Sequence, residues 1–259
     1  MATNTELTVW LTRPKHQGKE IAQLLNKAGY TFIHQPAIEI NAVATSSEQA
    51  QHVKQLMLQL DSFKHLIFIS TNAVNHGVGQ IEDYWPQLPI DQHWYAIGRS
   101  TAKALFQFGV TAKIPAGEQN SEQLLALPEL VAANGEKVII FSGVDGRQLL
   151  ADELRRRGAD VSIAQCYTRD LPAQQSIHWR DALQSEKIKV LMAASTETAK
   201  NSLVMAAELG VEINSLPIIV PGDRAVAATI ELGFSRVIKA DDASDHAMMK
   251  ALAGLAKQL

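Results

Sequence analysis

A single cysteine, Cys166, stands among 259 residues, so the chain can form neither an internal disulfide nor a cysteine-rich metal centre, and a reducing setting is expected. Excess positive charge is missing too: 24 Lys and Arg stand against 27 Asp and Glu, a formal net charge of -3. With no global positive field, neither nucleic acid nor a membrane surface is expected as a partner, and an anionic ligand must be caught by local groups. Apolar runs fall far short of a membrane span, and the opening Met1-Ala2-Thr3-Asn4-Thr5-Glu6 has no basic segment leading into an apolar one. The expectation is a cytoplasmic protein. The eight histidines form no HxxxH pair, so no metal site is expected. No GxxxxGK[ST] loop occurs, Gly77-Val78-Gly79 lacks the third glycine of a dinucleotide loop, and no GxSxG elbow offers a hydrolase nucleophile. No cofactor is expected.

What remains is ordinary globular material, 46% hydrophobic and 20% charged, long enough for two domains. Short β-rich runs alternate with helical patterns: Leu7 to Leu11, then about 16 to 28; Tyr30 to Ile33; Leu66 to Ile69, then about 72 to 82; Trp94 to Ile97, then about 100 to 108. Val138 to Phe141, Val161 to Ala164, Val190 to Ala193, Ile218 to Val220 and Val237 to Ile238 read as further strands. This alternation predicts an α/β fold with parallel sheets. The two halves also match each other in order, Gly29 with Gly158, Ser70-Thr71 with Ser195-Thr196, Gly98 with Gly222, Gly109 with Gly233, and Ser121 with Ser244, which points to an internal duplication. Thr31 to Asn41 and Asp160 to Leu171 are unusually long extended stretches bearing Pro36 and Pro172, and each can be a strand that crosses between domains. A split near residue 130 and a discontinuous first domain both fit.

Small hydroxyl residues recur where strands give way to helices: Thr12, Ser70-Thr71-Asn72, Gly98-Arg99-Ser100-Thr101, Ser142-Gly143 and Ser195-Thr196. In a parallel sheet such junctions lie at the carboxyl ends of strands, where free helix N–H groups favour anions, although Ser, Thr and Asn are also the preferred N-caps. Together they suit a ligand with several carboxylates.

These junctions, in this order, resemble the uroporphyrinogen-III synthase family. The resemblance rests on Leu11-Thr12-Arg13-Pro14 with Gly18, Ile69-Ser70-Thr71-Asn72-Ala73-Val74, Ala96 to Ala102, Ser121-Glu122-Gln123-Leu124-Leu125, Gly143 to Arg147, Gly158-Ala159 through Tyr167-Thr168-Arg169, Gly222-Asp223-Arg224 and Asp245 to Met248, which together span essentially the whole chain. It implies two similar three-layer α/β domains joined by a two-stranded antiparallel linker, with the active site in the cleft between them. On that pattern residues 1–36 with 173–259 form one domain, 41–166 the other, and 37–40 and 167–172 the linker strands. The implied protein is a monomer without cofactor. Its implied reaction is a hydro-lyase cyclisation: hydroxymethylbilane loses water, ring D is inverted through a spirocyclic pyrrolenine, and uroporphyrinogen III forms.

Within the resemblance, Tyr167 corresponds to the family's cleft tyrosine, whose phenol can hydrogen-bond or protonate the departing hydroxyl. Ser70, Thr71, Thr101, Ser195 and Thr196 are candidate substrate contacts, Arg13 and Arg147 candidate carboxylate partners, and Cys166 is read as a small buried hydrophobe. Two positions depart from the pattern. Ala225 stands opposite Thr101 without a hydroxyl, and Asp145 occupies a turn position where glycine is common in the family. The competing reading is a two-domain binding protein that takes a small anion without chemistry.

Overall fold

The computed structural model describes residues 7–117, 119–144, 146 and 148–258. Its strands and helices, in chain order, begin with β1 (Thr8–Leu11), α1 (Lys19–Lys27), β2 (Thr31–His34), β3 (Glu39–Ala42), α2 (Glu48–Leu58), β4 (His65–Phe68), α3 (Thr71–Glu82), β5 (His93–Ala96) and α4 (Arg99–Phe106). There follow α5 (Ser121–Leu125), α6 (Pro128–Val131), β6 (Lys137–Gly143), α7 (Leu149–Arg156), β7 (Asp160–Asp170), α8 (Ile177–Gln184), β8 (Ile188–Met192), α9 (Thr196–Ala207), β9 (Ile218–Pro221), α10 (Gly222–Glu231), β10 (Val237–Ala240) and α11 (Asp245–Ala256). The chain divides into two compact units, one of Met1–Glu39 with Asp170–Leu259 and one of Ile40–Arg169.

In the first unit the sheet order is β10-β9-β8-β1-β2, with every pairing parallel. In the second it is β3-β7-β6-β4-β5, and β7-β6, β6-β4 and β4-β5 are parallel. Matching β9 to β5, β8 to β4, β1 to β6 and β2 to β7 gives the same order in both units, so the duplication read from the landmarks extends to topology. The units differ at their edges. Where the first has β10, the second has, among the described residues, a single bridge from Tyr95 to Lys113, and β3 is added beside β7.

Alternation along the central strands explains the layering. In β4 and β6, Leu66, Phe68, Ile139 and Phe141 pack on α2, α3 and α4, while Ile67, Val138 and Ile140 face α5, α6 and α7. Buried on both faces, β4 has no exposed residue, which is why Leu66–Phe68 reads as an apolar run. The first unit is built alike: Trp10, Leu191 and Ile218 pack against α8, α9 and α10, and Val9, Leu11, Val190 and Ile219 against α1 and α11.

Two expectations change in detail. The helix read over about 16 to 28 is divided at Gly18 into a 3-10 turn, Lys15–Gln17, and α1. A Cβ at Gly18 would lie 2.3 Å from Cε1 of His34, whose Nε2 is 2.8 Å from the Arg13 carbonyl, so the ring occupies the space that a side chain there would need. The stretch Thr31 to Asn41 is interrupted between β2 and β3. Pro36 has no N–H for a ladder, and past it the chain stays tied to the end of β1, with Ala37 N donating to Thr12 O at 2.9 Å and Trp10 Nε1 to Gln35 O at 2.7 Å. The other long stretch is a single strand, the eleven residues of β7.

Candidate functional site

At the carboxyl ends of β4, β6 and β7 the second unit encloses a cavity of about 290 Å³. Ser70, Ser121, Ser142, Gly143, Tyr167 and Arg169 are among its lining residues, over an apolar floor that includes Ile69, Ile140 and Ile163. This is where open parallel sheets place their ligands. Arg169 is exposed and, among the described residues, is the charged side chain in the lining.

Tyr167 packs on the same side of the sheet as α3 and Ser70 because β7 bulges. Ser142 pairs with Gln165, but the next residue on β6, Gly143, pairs with Tyr167, so Cys166 is the extra residue and the strand is re-aimed at that point. Val144 N donates to Tyr167 O at 2.8 Å, which closes the bulge. The Tyr167 side chain is 4% exposed. One side of its ring lies on Gly143, where an added Cβ would come within 2.7 Å of Cε2 and 2.8 Å of Cζ. The imidazole of His76 stacks with it at a centroid distance of 5.8 Å. Its Oη is 3.1 Å from Ser70 Oγ.

Ser70 is also the N-cap of α3, its Oγ accepting from Ala73 N at 3.0 Å. The matching serine of the first unit is placed differently. Ser195 caps α9 in a reciprocal box: its Oγ accepts from Thr198 N at 3.1 Å, and Ser195 N donates to Thr198 Oγ1 at 3.1 Å. The third helical residue is alanine in one unit and threonine in the other, so only Ser195 meets a reciprocating side chain.

Of the other candidates in this unit, Thr71 and Thr101 are not among the lining residues. Thr71 and Thr196 are half-buried at the first positions of α3 and α9. Thr101 is buried in the first turn of α4 and does not line the cavity, and its counterpart Ala225 is buried too, so this departure falls at a position of the helix that faces inward in both units. Arg13 is engaged within the first unit: Nη1 lies 2.8 Å from Asp245 Oδ1, and Nη2 donates to Ala243 O. Burial raises the Asp245 carboxyl above its ordinary range despite that partner. Thr12 donates its hydroxyl to Met192 O at 2.9 Å and is fully buried, a tie within the sheet. Cys166 is fully buried, which pushes its thiol up to about 12. Arg147 and Asp145 lie outside the described residues. Ser142-Gly143 is one of the hydroxyl junctions legible in the sequence and Arg169 ends one of its motifs, although neither was named as an individual contact; His76 carried no signal.

The comparisons with known proteins agree with one another. The family model described as uroporphyrinogen-III synthase HemD matches residues 19–250. The uroporphyrinogen-III synthase of Escherichia coli (strain K12) is 28% identical over 256 residues, covering 95% of this chain and all of that protein. The Proteus mirabilis enzyme of the same name is 32% identical over 184 residues, 68% of this chain and 89% of its own length. Among solved structures, a mutant uroporphyrinogen III synthase from the extremely thermophilic bacterium Thermus thermophilus covers 98% of this chain and 100% of its own at a TM-score of 0.62 with 14% identity. Uroporphyrinogen-III synthetase from Helicobacter pylori 26695 covers 97% and 100% at 0.60 with 16% identity. At those identities the structural likeness speaks for the fold.

Proposed function

The chain belongs to the uroporphyrinogen-III synthase family and is a cyclising lyase of tetrapyrrole biosynthesis; from that premise we propose that the cavity beside Tyr167 receives the reacting end of hydroxymethylbilane and that the Tyr167 phenol protonates the departing hydroxyl. The observation that carries this reading is the placement of the phenol. Tyr167 and Ser70 both line the cavity, Tyr167 Oη has Ser70 Oγ as hydrogen-bond partner, and the tyrosine is otherwise packed. At about 290 Å³ the cavity is near the lower limit of small-molecule pockets, roughly 300–1,000 Å³, so it suits one end of a flexible tetrapyrrole better than the whole.

The chemistry asks for a proton donor and for control of shape. As the C–O bond of the hydroxymethyl group breaks, the electron pair leaves with oxygen, and a proton from Tyr167 completes a water molecule. The azafulvene left behind is stabilised by its own pyrrole nitrogen. Ring D then attacks through its substituted carbon, and fragmentation and rebonding invert it. Holding the chain so that this carbon reacts first is the larger task. Arg169, Ser121 and Ser142 line the same cavity and are suited to the substrate's carboxylates, with Thr71, Thr101, Arg13, Arg147, Ser195 and Thr196 as further contacts of the bound tetrapyrrole. The reading is completed by a monomer acting in the cytoplasm without metal, cofactor, nucleic acid or membrane. It is supported by the net charge of -3, by the single buried cysteine, and by the absence among the described residues of a helix long and apolar enough to cross a membrane.

The test is turnover of enzymatically made hydroxymethylbilane followed by oxidation and separation of isomers I and III. Tyr167→Phe is expected to slow formation of isomer III by roughly 10²-fold to 10⁴-fold, the usual range for general acid catalysis, while the residual product stays mainly III. Full activity in Tyr167→Phe removes the acid role; a fast variant that releases mainly isomer I makes the residue a determinant of shape.

A further inference from the structure

The hydrogen-bond arithmetic around Ser70 goes a step beyond the acid itself. A serine hydroxyl has one proton and two lone pairs. One lone pair of Ser70 Oγ is committed to Ala73 N, and the proton is not drawn into a reciprocal cap, because Ala73 has no side-chain oxygen to receive it. The partner within reach is Tyr167 Oη at 3.1 Å. At the equivalent junction Ser195 lies 3.3 Å from Thr198 Oγ1, so its hydroxyl is occupied inside its own cap.

We propose that Ser70 is a positioning residue for the reaction: it donates its hydroxyl proton to Tyr167 Oη, turns the phenol's own proton toward the cavity, and stabilises the phenolate formed when that proton is given up. The inference rests on the acid role proposed for Tyr167. The step balances. The proton on Tyr167 Oη passes to the leaving oxygen as the C–O bond breaks, and its bonding pair remains on the phenolate. Ser70 O–H donates to that charge, itself polarised by Ala73 N–H at the positive end of α3. The phenolate recovers a proton from the pyrrole carbon that must lose one to restore aromaticity after ring closure. Nothing is consumed over the cycle, and water leaves as the second product.

The experiment is a double-variant cycle of Ser70→Ala and Tyr167→Phe, with kcat and KM measured on enzymatically made hydroxymethylbilane and thermal unfolding recorded for each protein. Ser70→Ala is expected to lower kcat by about 10-fold to 100-fold, the worth of one hydrogen bond to a charged group, with KM unchanged. The double variant should be no slower than Tyr167→Phe alone, and Ser70→Thr, which keeps cap and proton, should restore most of the rate. Because Ser70→Ala also removes a helix cap, Ser70→Asp gives a second reading: it retains a capping oxygen but has no proton to donate, and it should fold yet lose kcat. Losses that multiply in the double variant, a raised KM at unchanged kcat, or full kcat in Ser70→Asp would each overturn the inference while leaving the acid role intact. Full activity in Tyr167→Phe would overturn both.

Discussion

Replacing Gly143 by alanine separates the placement of Tyr167 from its chemistry. The backbone at Gly143 is not left-handed, so alanine brings a steric conflict without backbone strain. Its Cβ would stand 2.7 Å from Cε2, 2.8 Å from Cζ and 3.2 Å from Oη of Tyr167. Carbon atoms pack at about 3.5–4.0 Å, so the ring must withdraw by roughly 0.8 Å or more. It has little room to do so, with His76 stacked on it and the surrounding core closed. Overpacking of this kind costs about 1–3 kcal/mol. The 3.1 Å contact between Oη and Ser70 Oγ moves with the ring, and a displacement near 1 Å at a reacting group can cost about 10²-fold in rate. The assay is isomer III formation alongside denaturant unfolding, in two backgrounds. In the natural background both rate and stability should fall. With Phe at 167, which retains Cε2 and Cζ, the stability loss should persist while the additional rate loss disappears. An equal rate loss in both backgrounds would refute the argument, because Gly143 would then act on something other than the phenol.

Two further outcomes follow from the electrostatics. Glu153 accepts from Arg156 Nε and Nη2, each at 2.7 Å, and from Arg157 Nε at 2.8 Å, and these partners hold its carboxyl at about 2, below the ordinary 4.5. A carboxyl depressed in the folded state stabilises above its unfolded value and loses that contribution as pH falls through the folded one. Glu153→Gln should therefore lower the unfolding midpoint at neutral pH, with the gap from the natural protein closing as pH falls from about 4.5 towards 2; a gap independent of pH would be contrary. For Cys166, burial holds the thiol near 12, so an alkylating reagent at neutral pH should leave the native protein unlabelled and label it once after denaturation; labelling of the folded chain at the denatured rate would mean that β7 opens at its bulge.

Strand positions were legible because parallel strands buried on both faces contain short apolar runs, such as Leu66 to Ile69 and Val138 to Phe141, followed closely by a serine or glycine. The duplication was legible for a related reason. Gly29 and Gly158 close α1 and α7 with φ of +75° and +90°, a conformation that glycine adopts most readily, so the two copies keep it at the same place. The need for glycine at position 18 was not legible, since it depends on His34 arriving from β2, sixteen positions along the chain. Nor was the bulge at Cys166. Without the two-for-one pairing opposite Gly143, alternation along β7 would assign Tyr167 to the other face of the sheet, and no local pattern announces the extra residue.

The same contrast explains why the hydroxyl junctions, alike on paper, are unlike in chemistry. Composition marks Ser70-Thr71-Asn72-Ala73 and Ser195-Thr196-Glu197-Thr198 as two versions of one helix start. Both serines do cap their helices, so the structural role read for such residues is real at each. Whether a capping hydroxyl also has a proton to offer depends on the residue three places on. Threonine at 198 folds that capacity back into the helix end, which favours a firm cap, whereas alanine at 73 leaves it directed at whatever stands across the strand ends. In the unit Ile40–Arg169 the bulge in β7 sets Tyr167 there. A duplicated fold thus acquires unequal halves through two local changes, a missing hydroxyl on α3 and an added residue in β7. Neither alters the strand order the halves share, so the scaffold is retained in both copies while the proton donor we propose belongs to one of them.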